Sequence, residues 1–158
     1  MKELLSQLFL FSIPEAIAVS WVILGLLGSK RIIKQGVIIG IVVGTVVLIP
    51  RITIGSYVHN VMIFLATYIA MISLLKISYF WERVVSVIIA ISVYLMIEFI
   101  NIFIFRLFIG DELFRIFEDT YVKFMCFLPQ LGVTILLAFI IYRYSLVLFF
   151  KTKGSDFN

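Results

Sequence analysis

Charged residues, cysteine, histidine and proline are all scarce in this chain of 158 residues. Only 14% of the residues are charged, and there are one cysteine, one histidine and three prolines. A single cysteine excludes an internal disulfide, and a single histidine excludes an all-histidine metal site within one chain. Because soluble domains carry about 25% charged residues, the shortage of charge also argues against an ordinary soluble globule.

Apolar residues are correspondingly abundant. They make up 63% of the chain, and the mean hydropathy is +1.20. A soluble domain of this size still exposes much of its surface and could not bury so many apolar side chains. The composition therefore predicts an integral membrane protein, with the lipid bilayer as its first partner and a multi-pass location in the cell membrane.

Five apolar stretches are each long enough to cross a bilayer, which takes about 20 helical residues. Helix is the expected state because backbone polar groups find no water partners in hydrocarbon and must bond to each other within the span. The stretches also lack the alternation of apolar and polar residues that is typical of membrane β-strands. The sequence thus predicts an all-α integral membrane protein, a single transmembrane domain built as a bundle of five helices. The predicted helices cover residues 4–27, 32–49, 57–75, 84–107 and 122–150.

Basic residues at the ends of these stretches predict the orientation. Lysine and arginine concentrate on the cytoplasmic side of membrane proteins. More of them lie on the side that holds Lys30, Arg31, Lys34, Lys151 and Lys153 than on the opposite side. We therefore expect the N-terminus outside and the C-terminus inside. The net charge of +4 needs no nucleic acid, since basic helix ends suit an anionic inner leaflet.

Each proline is followed by a polar residue, in the pairs Pro14-Glu15, Pro50-Arg51 and Pro129-Gln130. A proline removes one helical hydrogen bond and clashes with the turn before it. A neighbouring polar side chain or water can then bond the freed carbonyl. The pairs are either polar sites at helix kinks or ordinary kinks.

Several polar residues interrupt the apolar stretches, where ionisable groups are costly and usually face a cavity or another helix. Tyr94, Glu98 and Asn101 share one face of the fourth predicted helix, at spacings of four and three. We expect a polar pocket open to the outer face, in which Arg51 and His59 partner the carboxylate of Glu15 or Glu98. The alternative is a hydrogen-bond network that only joins helices, at about 0.6 kcal/mol per contact. The candidate pocket residues are Glu15, Arg51, His59, Tyr94, Glu98, Asn101 and Gln130.

The second stretch contains Gly36, Gly40 and Gly44, each four residues from the next. Small residues on one face of a membrane helix let another backbone approach closely. We expect this face to pack against another helix of the same chain or against a second copy in a homo-oligomer.

Catalytic motifs are absent from the sequence. It has no P-loop, nucleophile elbow or HExxH motif, and no cysteine and histidine pairing with metal-ligand spacing. Glu15 and Glu98 lie on different predicted helices, which is weak support for a carboxylate-only enzyme. We therefore expect no enzyme activity, no metal and no cofactor.

Several short motifs resemble the amino-terminal membrane segment of sensor histidine kinases of Gram-positive bacteria. These motifs are Ser12-Ile13-Pro14-Glu15, Trp21 and Gly25-Leu26 in the first stretch, Arg51, Gly55 and His59 before the third, Glu98 in the fourth and Pro129 in the fifth. The resemblance implies a multi-helix sensor with its N-terminus outside and an output domain after its cytoplasmic C-terminus. Only seven residues follow Lys151 here, so the expectation is a stand-alone sensor, or a truncated sensory module, without a kinase domain.

The leading interpretation is a non-enzymatic membrane sensor or regulatory subunit of a bacterial membrane. It would detect a small molecule or peptide from the outer half of the membrane and signal to a membrane or cytoplasmic signalling protein. One alternative is a small transporter, or the substrate-binding subunit of one, in which Glu15, Glu98 and Asn101 bind solute at mid-membrane depth. A structural membrane scaffold is the other.

Overall fold

The computed structural model describes residues 6–29, 32–53, 57–75, 79–109 and 120–148. This part of the chain is helical, without strands. A π-helical turn, Leu8–Ser12, leads directly into α1, Ile13–Leu26. The other helices are α2, Ile32–Thr53; α3, Tyr57–Leu75; α4, Phe80–Ile109; and α5, Thr120–Arg143.

Five helices in the described residues are long and apolar enough to cross a membrane. This confirms the predicted all-helical architecture and its five candidate spans. The longest, α4, has 30 residues and is about 45 Å long, which exceeds the roughly 30 Å hydrocarbon core of a bilayer.

Helix α1 is the central element of the bundle. It packs against α2, α4 and α5, and each helix also packs against the next one along the chain. In the α1 span 56% of the residues are buried, against 39% or less in each of the other spans. Its small residues, among them Ala16, Ala18 and Ser20, allow this because they let neighbouring helices approach.

The core contains one polar connection between α3 and α1. The fully buried Tyr68 hydroxyl donates to the Ala16 carbonyl oxygen at 2.5 Å. The Ser20 hydroxyl donates to the same oxygen at 2.7 Å. Buried polar groups are usually satisfied in this way. The Ser20 bond lies within α1, and the Tyr68 bond joins α3 to α1.

The π-helical turn lies immediately before Pro14. The Ile13 N–H bonds to the Leu8 carbonyl, five residues back instead of four. In a regular α-helix the Pro14 ring would clash with the carbonyl of Leu10, and Pro14 has no N–H to offer it. The wider turn accommodates the ring, so the helix continues into α1 without a break.

The last helix is shorter than predicted. α5 ends at Arg143 and not at residue 150, because Ser145 adopts a positive φ of 50°. The Leu146 N–H then bonds back to the Ile141 carbonyl at 3.0 Å, as in a Schellman motif. Smaller differences concern α4, which begins at residue 80 instead of 84 and continues to 109, and α5, which begins at 120 instead of 122.

The residues after α5 return to the end of α1. The Leu148 N–H bonds to the Leu26 carbonyl at 3.1 Å, one of the carbonyls that a helix end leaves without an intrahelical partner. Helix α1 ends at Leu26, two residues before Gly28, whose φ is +67°. Val147 packs within 3.2 Å of the position of a Gly28 Cβ. These contacts join the segment after α5 to the end of α1.

Candidate functional site

A cavity of about 500 Å³ lies at the end of the bundle where α1, α3 and α5 begin. A smaller space of about 60 Å³ continues from it between α3, α4 and α1. We call the two together the polar cavity. Four of the seven predicted pocket residues line it, namely Glu15, Tyr94, Glu98 and Gln130.

Three different helices supply these four residues. Glu15 lies in the first turn of α1, directly after Pro14, and only 7% of its surface is exposed. Tyr94 and Glu98 are one turn apart on α4, and Gln130 follows the proline of α5. Because each is on the inward face of its own helix, the packing of α1, α4 and α5 brings them to one cavity.

Hydrogen bonds across helices hold the lining in place. The Gln130 side-chain Nε2 donates to the Tyr94 hydroxyl oxygen at 2.6 Å, which joins α5 to α4. The Tyr57 hydroxyl donates to Glu98 Oε2 at 3.1 Å, which joins α3 to α4. The cavity walls are therefore linked side chains of several helices, with the Glu98 carboxylate oriented by a donor.

Four polar side chains outside the predicted set also line the cavity. They are Gln7, Tyr57, Asn60 and Lys123. They lie at the beginnings of their helices, where a polar residue is ordinary and carries no signal by itself. Their spacing along the helices was the sequence feature that could have indicated a shared face. Gln7 precedes Glu15 by eight residues, two turns, and Tyr57 and Asn60 are three apart.

The other three predicted residues do not contribute to the described lining. Asn101 Nδ2 donates to the Cys126 carbonyl oxygen at 2.8 Å, so this side chain joins α4 to α5. His59 is exposed on α3 and is not among the described side chains that line the cavity. Arg51 is in α2, but its side chain lies outside the described residues, so the predicted pairing of Arg51 with a carboxylate stays a prediction.

One wall of the cavity is aromatic. Phe11 and Phe127 both line it, and their ring centroids are 5.4 Å apart. Phe11 also makes an edge-on contact with Phe124 at 6.1 Å. Carboxylate, hydroxyl and amide groups thus face the same space as two phenyl rings, which suits a ligand with both a polar and an apolar part.

A buried acceptor without a partner also belongs to this lining. Asn60 Oδ1 is buried and has no hydrogen-bond partner among the residues that the structure describes. Most buried polar atoms in proteins are hydrogen-bonded, so such an atom in a cavity wall marks a place where a ligand donor would be stabilised.

The inner end of the cavity is closed by the apolar core. Phe64 and Ile91 line its deepest part. One turn further into the bundle are Tyr68 and Val87, both with 0% of their surface exposed. The described residues therefore form a packed apolar interior beyond this part of the cavity.

The glycines of α2 face α1 of the same chain. A Cβ at Gly40 would be 2.6 Å from both the backbone N and the Cα of Ile17, and one at Gly44 would be 2.8 Å from the Ser12 carbonyl oxygen. Gly36 faces the same helix one turn further along. These positions let α2 support the part of α1 that carries Glu15.

The described lining of the cavity offers hydrogen-bond acceptors, hydroxyl groups and aromatic rings that a ligand could contact. In the described parts of the chain no three His, Cys, Asp or Glu side chains gather in the manner of a metal site. Comparison with protein-family models, curated proteins and solved structures finds no match to this chain.

Proposed function

We propose that this chain is a multi-pass membrane sensor or regulatory subunit that binds a small molecule in the polar cavity. The observation that carries the proposal is a cavity of about 500 Å³ lined by polar side chains from four helices of an apolar bundle. A charged residue at the centre of a membrane helix costs about 2.5–3.5 kcal/mol on insertion scales, so such groups in spans usually mark a functional site.

The proposed orientation places the cavity at the outer face of the cell membrane. Positive residues favour the cytoplasmic side, and the end where α2 begins carries Lys34 beside the basic pair at 30–31. With the N-terminus outside, the beginnings of α1, α3 and α5 face outward, and a ligand enters from that side.

Signalling through α1 follows from its central position. A ligand that contacts Glu15 touches the helix that also packs against α2, α4 and α5. Pro14 and Pro129 directly precede the lining residues Glu15 and Gln130, and helices bend most easily at prolines. We propose that ligand binding changes the packing of α1 against α5, and that a membrane or cytoplasmic signalling protein responds, as the resemblance to histidine-kinase membrane segments implies.

Transport is the second candidate, and the proline-interrupted helices beside Glu15 and Gln130 favour it, since transporters bind solute near such interruptions. The closed core beyond Tyr68 favours binding over passage. Reconstitution into liposomes separates the two: a transporter moves the co-purified molecule across the bilayer, whereas a sensor binds it without flux.

The binding function is tested by gentle purification and mass spectrometry of the molecules that stay bound. Gln7 is exposed and lines the cavity, so Gln7→Trp places a bulky ring in the opening. Leu10→Trp is the matched control, because Leu10 is 37% exposed and is not a lining residue. We expect one small molecule to accompany the wild type and Leu10→Trp in similar amounts and to be depleted in Gln7→Trp. No bound molecule in the wild type, or equal amounts in all three, would contradict the proposal.

A further inference from the structure

We infer that the outer end of α4 is embedded among the acyl chains of the outer leaflet, so that Glu98 and the polar cavity lie about 12 Å along α4 below the outer edge of the hydrocarbon core. This inference rests on the proposed membrane location and orientation. It is carried by the length of α4 beyond α3, by the apolar surface of that part of α4, and by two basic side chains near one level.

Helix α4 continues well past the start of α3. At their inner ends the two helices lie close to the same level, because the Arg83 guanidinium donates to the Ser73 carbonyl oxygen at 2.9 Å. Near the other end the hydroxyl of Tyr57, the first residue of α3, donates to Glu98. Residues 99–109 of α4 therefore extend beyond the start of α3, by about 16 Å at 1.5 Å per residue. We call them the α4 extension.

The α4 extension exposes large apolar side chains around most of its circumference. They are Phe99, Ile100, Ile102, Phe103, Ile104, Leu107 and Phe108. At 3.6 residues per turn these positions cover about 240° of the helix. A protein partner would contact one side of such a helix, whereas lipid surrounds a helix that is apolar nearly all round. The extension also continues the apolar span Phe80–Phe108 without a break, so lipid is the occupant that fits this surface.

Two basic side chains mark the outer edge of the hydrocarbon. Arg106 is exposed in the last turn of α4. The bonds of Asn101 to Cys126 and of Tyr94 to Gln130 show that α4 and α5 run antiparallel, which places the exposed Lys123 within about one turn of the level of Arg106. Long basic side chains near helix ends reach the headgroups while their stems stay in apolar surroundings. The edge of the hydrocarbon therefore lies near Arg106.

The length of α4 agrees with this placement. Tyr79, Phe80 and Trp81 are exposed at the inner end, and aromatic side chains are typical of the membrane interface. From Trp81 to Arg106 the axis is about 38 Å long, and a tilt of roughly 37° fits it to a hydrocarbon core of about 30 Å, within the observed range of 0–40°. A ligand must therefore descend below the membrane surface to reach Glu98.

Tryptophan fluorescence tests the depth of the α4 extension in the full-length protein in phosphatidylcholine nanodiscs. The quenchers are lipids brominated near the headgroup or near the chain end, and aqueous iodide. Phe99→Trp and Phe108→Trp are made in a protein whose native Trp21 and Trp81 are replaced by phenylalanine. Both positions are exposed, at 71% and 85%, so the new rings need no space in the core. The Trp21→Phe protein, which keeps Trp81, is the control for an interfacial position.

We expect Phe108→Trp to lose fluorescence to bromine near the headgroup, as Trp81 does, and Phe99→Trp to lose it to bromine deeper in the chains. Iodide should quench Phe99→Trp weakly. If Trp21→Phe does not fold, Trp21 is retained and the Trp81→Phe protein supplies the signal to subtract.

The other results each overturn the inference. Quenching of Phe108→Trp by iodide and not by brominated lipid would place the extension in water. Shielding from both quenchers would show that protein covers it, for example a second copy of the chain. Equal depths at positions 99 and 108 would show that the extension lies along the surface. None of these measurements involves a ligand, so the co-purification experiment alone decides the binding function.

Discussion

Replacing Gly40 by alanine places a methyl group in the tightest part of the contact between α1 and α2. The added Cβ would be 2.6 Å from the Ile17 N and Cα, whereas an ordinary contact between such atoms is about 3.5–4.0 Å. The two backbones must therefore separate by about 1 Å. Overpacking of this kind costs about 1–3 kcal/mol, and the higher helix propensity of alanine offsets about 1 kcal/mol at most. We expect Gly40→Ala to destabilise the protein, by up to about 2 kcal/mol.

Gly132→Ala provides the matched control, since a Cβ at Gly132 meets no atom within 4 Å. The same chemical change there should be neutral or stabilising by up to about 1 kcal/mol. Gly36→Ala should be less harmful than Gly40→Ala, because its Cβ would meet the Trp21 side chain, which can rotate. Thermal unfolding in one detergent measures all three variants. A Gly40→Ala protein as stable as Gly132→Ala would refute the close backbone contact.

Three other changes have defined outcomes. Tyr68→Phe removes the donor to the Ala16 carbonyl and should lower the free energy of unfolding by about 0.6–1.7 kcal/mol in denaturant titration; unchanged stability would show that this bond contributes nothing. Ser145→Gly should raise thermal stability by about 1 kcal/mol, because the left-handed conformation at φ 50° is unfavourable for residues with a Cβ; a lower melting temperature would argue against that turn. Asn101→Leu loses the bond to the Cys126 carbonyl and should cost about 0.6 kcal/mol while the amount of co-purified small molecule stays unchanged; depletion of that molecule would return Asn101 to the site.

The polar residues of the cavity differ in how far sequence could predict them. Glu15, Glu98 and Gln130 interrupt apolar stretches, where a polar side chain is costly and therefore informative. Lys123 is near the beginning of a helix, where charge is expected in any membrane protein, so its position in the cavity lining was not predictable. Asn101 had the same sequence signal as Glu98, but its place along α4 directs it to the α5 backbone.

Sequence by itself determined that the described chain is helical with five candidate membrane spans, because runs of about 20 apolar residues must satisfy their own backbone hydrogen bonds in hydrocarbon. Tertiary structure decided which of the polar residues meet. Packing of α1 in the centre brings Glu15 to the same cavity as Glu98, and the close contact at Gly40 allows α2 to pack there. The physical reason is that helical periodicity assigns each residue a face of its own helix, whereas side-chain size and close backbone contacts between helices determine which faces come together.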